Sequence, residues 1–380
     1  MVQRKNLRGN KIGVMFGTFA PLHLGHLYSI NIAKRENEGV LVLTSGSSTD
    51  RGAKFGLDLN KRFRYIRELF QDDDLVVVGK INEENIPTYP DGWNEWVTLL
   101  DYEVSRLCEN SSPEVTVYVG EEIYKEKLEE LRPEYKVSYI PRTSIPISAT
   151  KIRENPQQYW SFITKPFQRH FTKKVLIMGS ASGGKTVLSR DLAKTFNASW
   201  SPEFAREYQE RFNVADEELN GKDYTYLYTE QYLQTSNIIE GDSNKGLVIA
   251  DSSSMTTRGY DTEYLSVEPT LGKVTITQQE RTTLDELYKS IVKREKWDVI
   301  FFVLPLSEYV DDGFRDMAMS DENTRWEFTN KLKKIISEAG FMDKVVFLGE
   351  NSTKDSFFKD NYIKAVNYIR DELKIDVGQL

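Results

Sequence analysis

The first half of the chain alternates short apolar runs with longer segments in which apolar residues recur at helical spacing. The short runs are rich in β-branched residues and lie at positions 12–16, 39–44, 75–78, 115–119 and 136–140. Strands that are separated by helices favour a parallel sheet with helices on both of its faces. In such a sheet, ligands bind at the carboxyl ends of the strands.

The second half restarts the same pattern. Apolar runs at 174–178, 246–251 and 299–304 are again separated by helical segments. Between the halves, residues 155–171 contain two prolines and show no clear period. A chain of 380 residues is long enough for two domains that each bury a core. We therefore predict an α/β protein of two parallel-sheet domains, 1–168 and 169–380.

Composition narrows the classes of partner. A formal net charge of −8 argues against a general basic surface, so we expect no nucleic-acid partner. The single cysteine, Cys108, cannot form an internal disulfide, and residues 1–10 lack the apolar core of a signal peptide. No apolar run is long enough to cross a bilayer. These features favour a cytoplasmic protein without membrane contact, and they leave a homo-oligomer open.

Residues 17–26 read GTFAPLHLGH and connect the first predicted strand to a helix, a pattern typical of the HxGH nucleotidyltransferases. Gly17 lets the backbone come close to a ligand, and two histidines lie at the helix start, where free N–H groups and the macrodipole favour an anion. Zinc is the weaker interpretation, because three histidines and one cysteine offer few ligands for a closed site. The predicted ATP contacts of this loop are Gly17, Thr18, Phe19, His23 and His26.

A second anion-binding segment is predicted at residues 147–155, which read ISATKIREN. Ser148 is a natural N-cap, and Ser148, Thr150 and Arg153 would present two hydroxyls and a guanidinium at one helix start. A simple capped surface helix is the alternative.

Three further residues of the first domain are candidates for binding substrate. Trp93 and Trp96 lie in an aromatic turn, where they could stack on a flat base or belong to the domain core. Glu121 follows the strand predicted at 115–119, so it could contact a sugar hydroxyl or an amide at the ligand-facing edge.

Residues 179–186 read GSASGGKT between a buried strand and a helical segment, which is the setting of a P-loop. Its backbone N–H groups would surround the phosphates of ATP, Lys185 would reach the β and γ oxygens, and Thr186 would ligate Mg²⁺. The predicted ATP contacts are Gly179, Ser182, Gly183, Gly184, Lys185 and Thr186.

A P-loop does not identify the group that receives the phosphate. Asp251 ends an apolar strand, the usual place for a carboxylate near magnesium or the acceptor, and Glu203 opens a helix that also carries Arg206. Either carboxylate is a candidate base, and Arg206 is a candidate substrate contact. In the charged segment 311–325, Arg315 and Arg325 would act as a lid over the γ-phosphate, or they would be surface arginines of an acidic loop.

In this order and spacing, the motifs resemble those of the NadR family, whose members join a nicotinamide mononucleotide (NMN) adenylyltransferase to a ribosylnicotinamide kinase. The resemblance rests on the segments at 17–26, 145–156, 179–186, 202–208 and 311–315 and extends over nearly the whole chain. It implies that the second domain phosphorylates nicotinamide riboside with ATP and Mg²⁺, and that the first joins NMN to ATP, giving NAD and pyrophosphate. The residues expected to carry the two reactions are His23, His26, Arg153, Lys185, Glu203, Asp251 and Arg315.

The resemblance has one departure and leaves two alternatives. Enterobacterial members carry an N-terminal helix–turn–helix domain, whereas about ten residues precede the first predicted strand here, so we expect no repressor role. HxGH domains also adenylate phosphopantetheine or flavin mononucleotide, and some make CDP-linked products. A nucleotide-sensing regulator with only one active half is the other alternative.

Overall fold

The computed structural model describes residues 6–88, 90–141, 145–309, 317–350 and 352–376. The chain divides into two compact units, one up to His170 and one from Phe171 onward. Each unit is built around a five-stranded parallel sheet, which confirms the predicted α/β fold. The domain boundary expected near residue 168 lies just before this division.

The first unit alternates strands and helices along the chain. Its elements are β1 (Lys11–Gly17), α1 (Leu24–Glu36), β2 (Gly39–Gly46), α2 (Arg51–Lys54), α3 (Leu59–Leu69), β3 (Val76–Asn82), α4 (Trp93–Leu107), β4 (Glu114–Val119), α5 (Glu122–Leu131), β5 (Lys136–Tyr139), α6 (Ala149–Glu154) and α7 (Lys165–Phe171). The sheet order is β3-β2-β1-β4-β5, which places β1 in the centre. Because Gly17 pairs with Thr44 and Met15 with Tyr118, the loop after β1 leaves from the middle of the carboxyl edge.

The central strands of this sheet are buried. Every residue of β2 is buried, and apolar residues of β1, β2 and β4 pack with α4 in one core cluster. This burial explains the unbroken apolar runs that predicted the strands. Cys108, just after α4, lies in the same cluster, and burial raises the pKa of its thiol to about 11.

A buried arginine ties three elements of the first unit together. Arg62 of α3 is fully buried, and its Nη2 donates to Asp50, the N-cap of α2, at 2.6 Å and to the Ser45 carbonyl of β2 at 3.0 Å. A buried guanidinium is tolerated only when it is paired and hydrogen-bonded in this way. The pair thereby fixes the segment that follows β2 at the carboxyl edge.

The second unit repeats this plan with other lengths. Its elements are β6 (Lys173–Gly179), α8 (Lys185–Thr195), β7 (Ser199–Ser201), α9 (Phe204–Phe212), α10 (Gly221–Glu240), β8 (Leu247–Ala250), α11 (Ser254–Tyr264), β9 (Leu265–Ser266), β10 (Val274–Thr275), α12 (Gln278–Val292), β11 (Val299–Val303), α13 (Glu322–Glu338), β12 (Val345–Leu348) and α14 (Phe357–Asp371). The main sheet has the order β12-β11-β6-β8-β7, so β6 is central, and β9 and β10 form a separate parallel pair. Short 3₁₀ helices occupy Trp160–Phe162 in the first unit and Asp216–Glu218, Met317–Ser320 and Met342–Lys344 in the second.

Alternate residues of β6 enter two different cores. Val175 and Ile177 pack in a cluster with α8 and α14, whereas Leu176 and Met178 pack in a cluster with α13. Because successive side chains of a strand point to opposite faces, both faces of the sheet are covered. No helix among the described residues is long and apolar enough to span a membrane.

Candidate active sites

The loop between β1 and α1 brings the two predicted histidines together. His23 is the N-cap of α1 and is 5% exposed, and its ring stacks on that of His26 with centroids 3.7 Å apart. The backbone N–H of His23 donates to Nδ1 of His26 at 3.4 Å. Phe19 packs edge-on against His26 at 5.0 Å, and Gly17 and Thr18 are half-buried just before it. Phe19 and the two histidines therefore meet at the start of α1, and Gly17 and Thr18 lie where β1 leads into the loop.

The second predicted anion-binding segment lies beside this loop. Ser148 caps α6 by accepting from the Lys151 N–H at 3.2 Å, as its sequence position predicts. Arg153 donates from Nη1 to the Ala20 carbonyl at 2.6 Å and from Nη2 to the Thr150 hydroxyl at 3.0 Å. The guanidinium thereby bridges α6 and the histidine loop.

Sequence reasoning missed the segment that supports the histidine loop from another side. The Thr164 hydroxyl donates to the Leu22 carbonyl at 2.9 Å, and Ile163 forms a β-bridge with His23. These contacts join positions far apart in the chain, so no local pattern indicated them.

An aromatic cluster lies at the carboxyl end of β1. Phe16 packs on Trp96 and Tyr124 with ring centroids 4.5 and 5.5 Å away, and Trp93 packs on Tyr124 at 5.3 Å. Trp96 is buried and donates its indole N–H to Glu83 at 3.0 Å, whereas Trp93 is half-buried. Of the two tryptophans, Trp93 is the one that keeps an accessible surface.

Two carboxylates lie at the carboxyl edge of the first sheet. Glu83, directly after β3, was not identified from the sequence; burial raises the pKa of its carboxyl, while hydrogen bonds from Ser45 and Trp96 oppose that shift. Glu121 occupies the N-cap position of α5 after β4 and is half-buried. Its position after a strand agrees with the pattern that singled it out.

In the second unit, β6 ends at Gly179 and the P-loop leads into α8. Gly179 has a φ of 149°, and a Cβ there would lie 2.4 Å from the Val303 carbonyl, so a side chain is excluded. Gly184, the N-cap of α8, is left-handed with a φ of 76°. Lys185 donates from Nζ to the Ser180 carbonyl at 2.8 Å, which holds its ammonium over the loop. A left-handed glycine and an ammonium held at the turn are features from which phosphate-binding loops are built.

Two acids lie together beside this loop. Asp251, directly after β8, is 1% exposed, and Glu203, at the N-cap position of α9, is half-buried. Burial raises the pKa of Asp251 to about 7; the charge of Glu203 adds to the shift, and the Thr186 hydroxyl and Lys185 oppose it. The structure therefore brings both candidate bases to the P-loop.

The three arginines predicted to bind substrate or ATP differ in their burial and contacts. Arg206 is half-buried in α9. Arg325 of α13 is 5% exposed and donates from both terminal nitrogens to the Ser307 carbonyl at 3.0 Å. Arg315, predicted to lie in the lid, is outside the described residues.

The fold and the loops define a class: a nucleotidyltransferase unit followed by a P-loop phosphotransferase unit. Residues 14–155 match the cytidylyltransferase-like family model, and residues 174–352 match the AAA domain model. A crystal structure of a NadR protein in complex with NR is 37% identical, with a TM-score of 0.86 and 100% of both chains covered. A second, of a NadR protein in complex with NAD and AMP-PNP, is 36% identical, with a TM-score of 0.83 and the same coverage.

The curated relatives agree with the solved structures. The trifunctional NAD biosynthesis/regulator protein NadR of Salmonella typhimurium (strain LT2) is 25% identical over 373 residues, which cover 96% of this chain and 84% of that protein. The chain belongs to the NadR family, as its motifs predicted.

Proposed function

We propose that the protein is a bifunctional enzyme of NAD synthesis. Its second unit phosphorylates nicotinamide riboside with ATP to give NMN and ADP, and its first unit joins NMN to ATP to give NAD and pyrophosphate. The observation that carries the proposal is the match over the whole chain to NadR proteins that bind NR in one structure and NAD with AMP-PNP in another. Both reactions use ATP, which is abundant in the cytoplasm, where we place them.

In the second unit, the P-loop would hold ATP while the 5′-hydroxyl of the riboside attacks the γ-phosphorus in line and the bond to the β–γ bridging oxygen breaks. Lys185 would offset charge on the γ oxygens, and Arg206 would contact the riboside. Glu203 would be the general base that accepts the proton of this hydroxyl. It is the more exposed of the two acids, whereas Asp251 is buried near Thr186.

Thr186 and Asp251 would hold Mg²⁺. Both carboxylate oxygens of Asp251 are buried without a hydrogen-bond partner of normal geometry in the described part of the chain. No group of three or more His, Cys, Asp or Glu residues there could enclose a metal. Such a sparse oxygen site suits Mg²⁺, which keeps waters and substrate phosphates as ligands and supplies positive charge to phosphate oxygens when bound.

In the first unit, the 5′-phosphate of NMN would attack the α-phosphorus of ATP, and pyrophosphate would leave. This nucleophile is already an anion at neutral pH, so positioning and charge stabilisation suffice without a strong general base. His23, His26 and Arg153 would bind the triphosphate, with Ser148 and Thr150 at the start of α6.

Trp93 would stack on the nicotinamide ring, because it is the accessible tryptophan of the aromatic cluster. We expect Trp93→Ala to raise the KM for NMN about tenfold with little change in kcat, on the scale of a lost aromatic contact. Trp96→Ala should instead lower the thermal stability of the first unit, because it would leave a cavity in the core. An unchanged KM in Trp93→Ala would exclude the stacking role.

Incubation of the purified protein with Mg²⁺, ATP and nicotinamide riboside, followed by chromatography over time, tests the proposed function. NMN should form first, and NAD with pyrophosphate should follow. Accumulation of NMN alone would mean that the first unit uses another acceptor or is inactive. If supplied NMN gives NAD but the riboside gives nothing, the assignment of the second unit fails.

A further inference from the structure

We infer that Ser307 is a positioning residue of the ATP site in the second unit, and that Arg325 acts on this site through Ser307. The inference rests on the proposed kinase activity and adds to it a residue that no sequence motif singles out. Ser307 lies in the segment that follows β11, the strand beside β6, and it is half-buried.

Ser307 connects the P-loop to α13 through two successive hydrogen-bonded contacts. Its hydroxyl donates to the carbonyl of Ser182 at 2.5 Å. Its own carbonyl accepts from both Nη1 and Nη2 of Arg325, each at 3.0 Å. A two-pronged bond of a planar guanidinium fixes direction as well as distance, so the Ser307 backbone is held while its hydroxyl reaches the P-loop.

The carbonyl that Ser307 binds controls a phosphate-facing donor. In a trans peptide the C=O and the next N–H point in opposite directions, so anchoring the Ser182 carbonyl also aims the N–H of Gly183. This N–H is one of the predicted phosphate donors. Ser182 has a φ of 57°, a left-handed conformation that is unfavourable for a residue with a Cβ. The bond from Ser307 helps hold the strained peptide in the orientation that ATP would need.

Arg325 acts as a brace, by which we mean that it holds the Ser307 backbone in place through hydrogen bonds and does not contact the nucleotide. It is 5% exposed, and no carboxylate in the described ranges forms an ion pair with it. The guanidinium contacts the Ser307 carbonyl and the ring of Tyr309, whose centroid lies 5.9 Å from the guanidinium carbon. A brace depends on the shape of the guanidinium, whereas direct stabilisation of the γ-phosphate depends on its charge. The two roles therefore respond differently to lysine.

The test compares ATP kinetics of riboside phosphorylation in Ser307→Ala, Ser307→Thr and Arg325→Lys. Because the loss of one hydrogen bond changes binding about fivefold, Ser307→Ala should raise the KM for ATP about five- to tenfold while kcat changes less than about twofold. Ser307→Thr, which keeps the hydroxyl, should stay near wild type. Arg325→Lys should behave like Ser307→Ala despite its retained charge, and the double variant should be no worse than the poorer single variant.

Two controls separate this effect from general damage. Ser337→Ala makes the same change at an exposed position of α13 and should leave both activities unchanged. NMN adenylylation by the first unit should be unaffected in every variant.

Two results would overturn the inference. One is a wild-type KM for ATP in Ser307→Ala. The other is a large loss of kcat in Arg325→Gln that Arg325→Lys restores, because that pattern belongs to a charge on the γ-phosphate. If wild-type protein does not phosphorylate the riboside at all, the proposed function fails instead.

Discussion

In both proposed sites, single residues would position phosphates and balance their charge. In each reaction the attacking oxygen belongs to a substrate, so the protein supplies donors, cations and one proton acceptor. The stacked pair of His23 and His26 and the ammonium of Lys185 are held by contacts within their own loops. Such preorganised groups give the largest contributions when charge moves in the transition state.

His26→Ala should lower adenylyl transfer about a hundredfold or more, because it removes a contact to the triphosphate in the transition state. Riboside phosphorylation should be unchanged. His170→Ala makes the same change elsewhere in the first unit, at a ring whose Nε2 donates to the Phe55 carbonyl at 2.9 Å, and adenylyl transfer should survive it. A His26→Ala enzyme with near wild-type adenylyl transfer would mean that the site is misplaced.

Glu203→Gln should lower the kcat of riboside phosphorylation about a hundredfold, on the usual scale for a lost general base, with little change in the KM for ATP. Glu207→Gln, one turn further along α9 and exposed, is the matched control. Wild-type kcat in Glu203→Gln would transfer the base assignment to Asp251.

Residues that share one loop could be located from the sequence, and residues that meet through the fold could not. His23 with His26, and the P-loop lysine and threonine, are fixed relative to each other by a few residues of backbone. Glu83 and Ser307 are positioned by hydrogen bonds with Trp96 and Ser182, which lie elsewhere in the chain. Long-range partners leave no local spacing to detect.

Among the secondary-structure elements, too, some could be predicted from the sequence and others could not. The central strands are buried on both faces, so their uninterrupted apolar runs predicted them. The edge strand β7 has only three residues, Ser-Trp-Ser, and β12 is mostly half-buried. β7 carries no apolar run, and neither strand was predicted, although the four apolar residues of β12 form a run as long as the one at 75–78.

The start of α11 is held by a buried acid, which gives the second unit a pH dependence. Glu295 is buried and accepts from the Ser254 N–H at 3.0 Å, and burial raises the pKa of its carboxyl from 4.5 to about 7. The neutral form is favoured in the folded state. Its stabilising contribution is complete below the ordinary pKa and is lost as the pH rises through about 7.

Glu295→Gln should remove this dependence. The free energy of unfolding of the variant relative to wild type should rise between pH 5 and pH 8, by at most about 3 kcal/mol from the size of the shift. The loss of riboside phosphorylation across a urea titration at several pH values measures it, and adenylyl transfer in the same samples is the control. A difference that does not change with pH would show that the carboxyl stays ionised in the folded state.

At the scale of the whole molecule, the chain consists of two units, each with its own sheet, its own core and a proposed phosphate-binding loop. This organisation could be predicted because the strand–helix pattern restarts in the second half. The proposed reactions are linked by NMN, the product of one and the substrate of the other.

A mixture of two variants, each lacking one of the two activities, tests the independence of the sites. Lys185→Ala should abolish riboside phosphorylation but use supplied NMN, and His26→Ala should make NMN without converting it. Mixed together, they should produce NAD from the riboside after a lag in which NMN accumulates. Failure of the mixture, with each single activity intact, would show that free NMN does not link the two reactions.

The buried thiol near α4 offers a direct view of motion in one half of the chain. Cys108 is the sole cysteine, it lies in the core of the first unit, and its raised pKa keeps it protonated at neutral pH. A maleimide can therefore react with Cys108 only when that core opens. The rate of the reaction reports how often the core opens, and no engineered label is needed. The labelling rate with and without ATP would show how far the nucleotide suppresses opening of the first unit. The second unit has no cysteine and does not contribute to the signal.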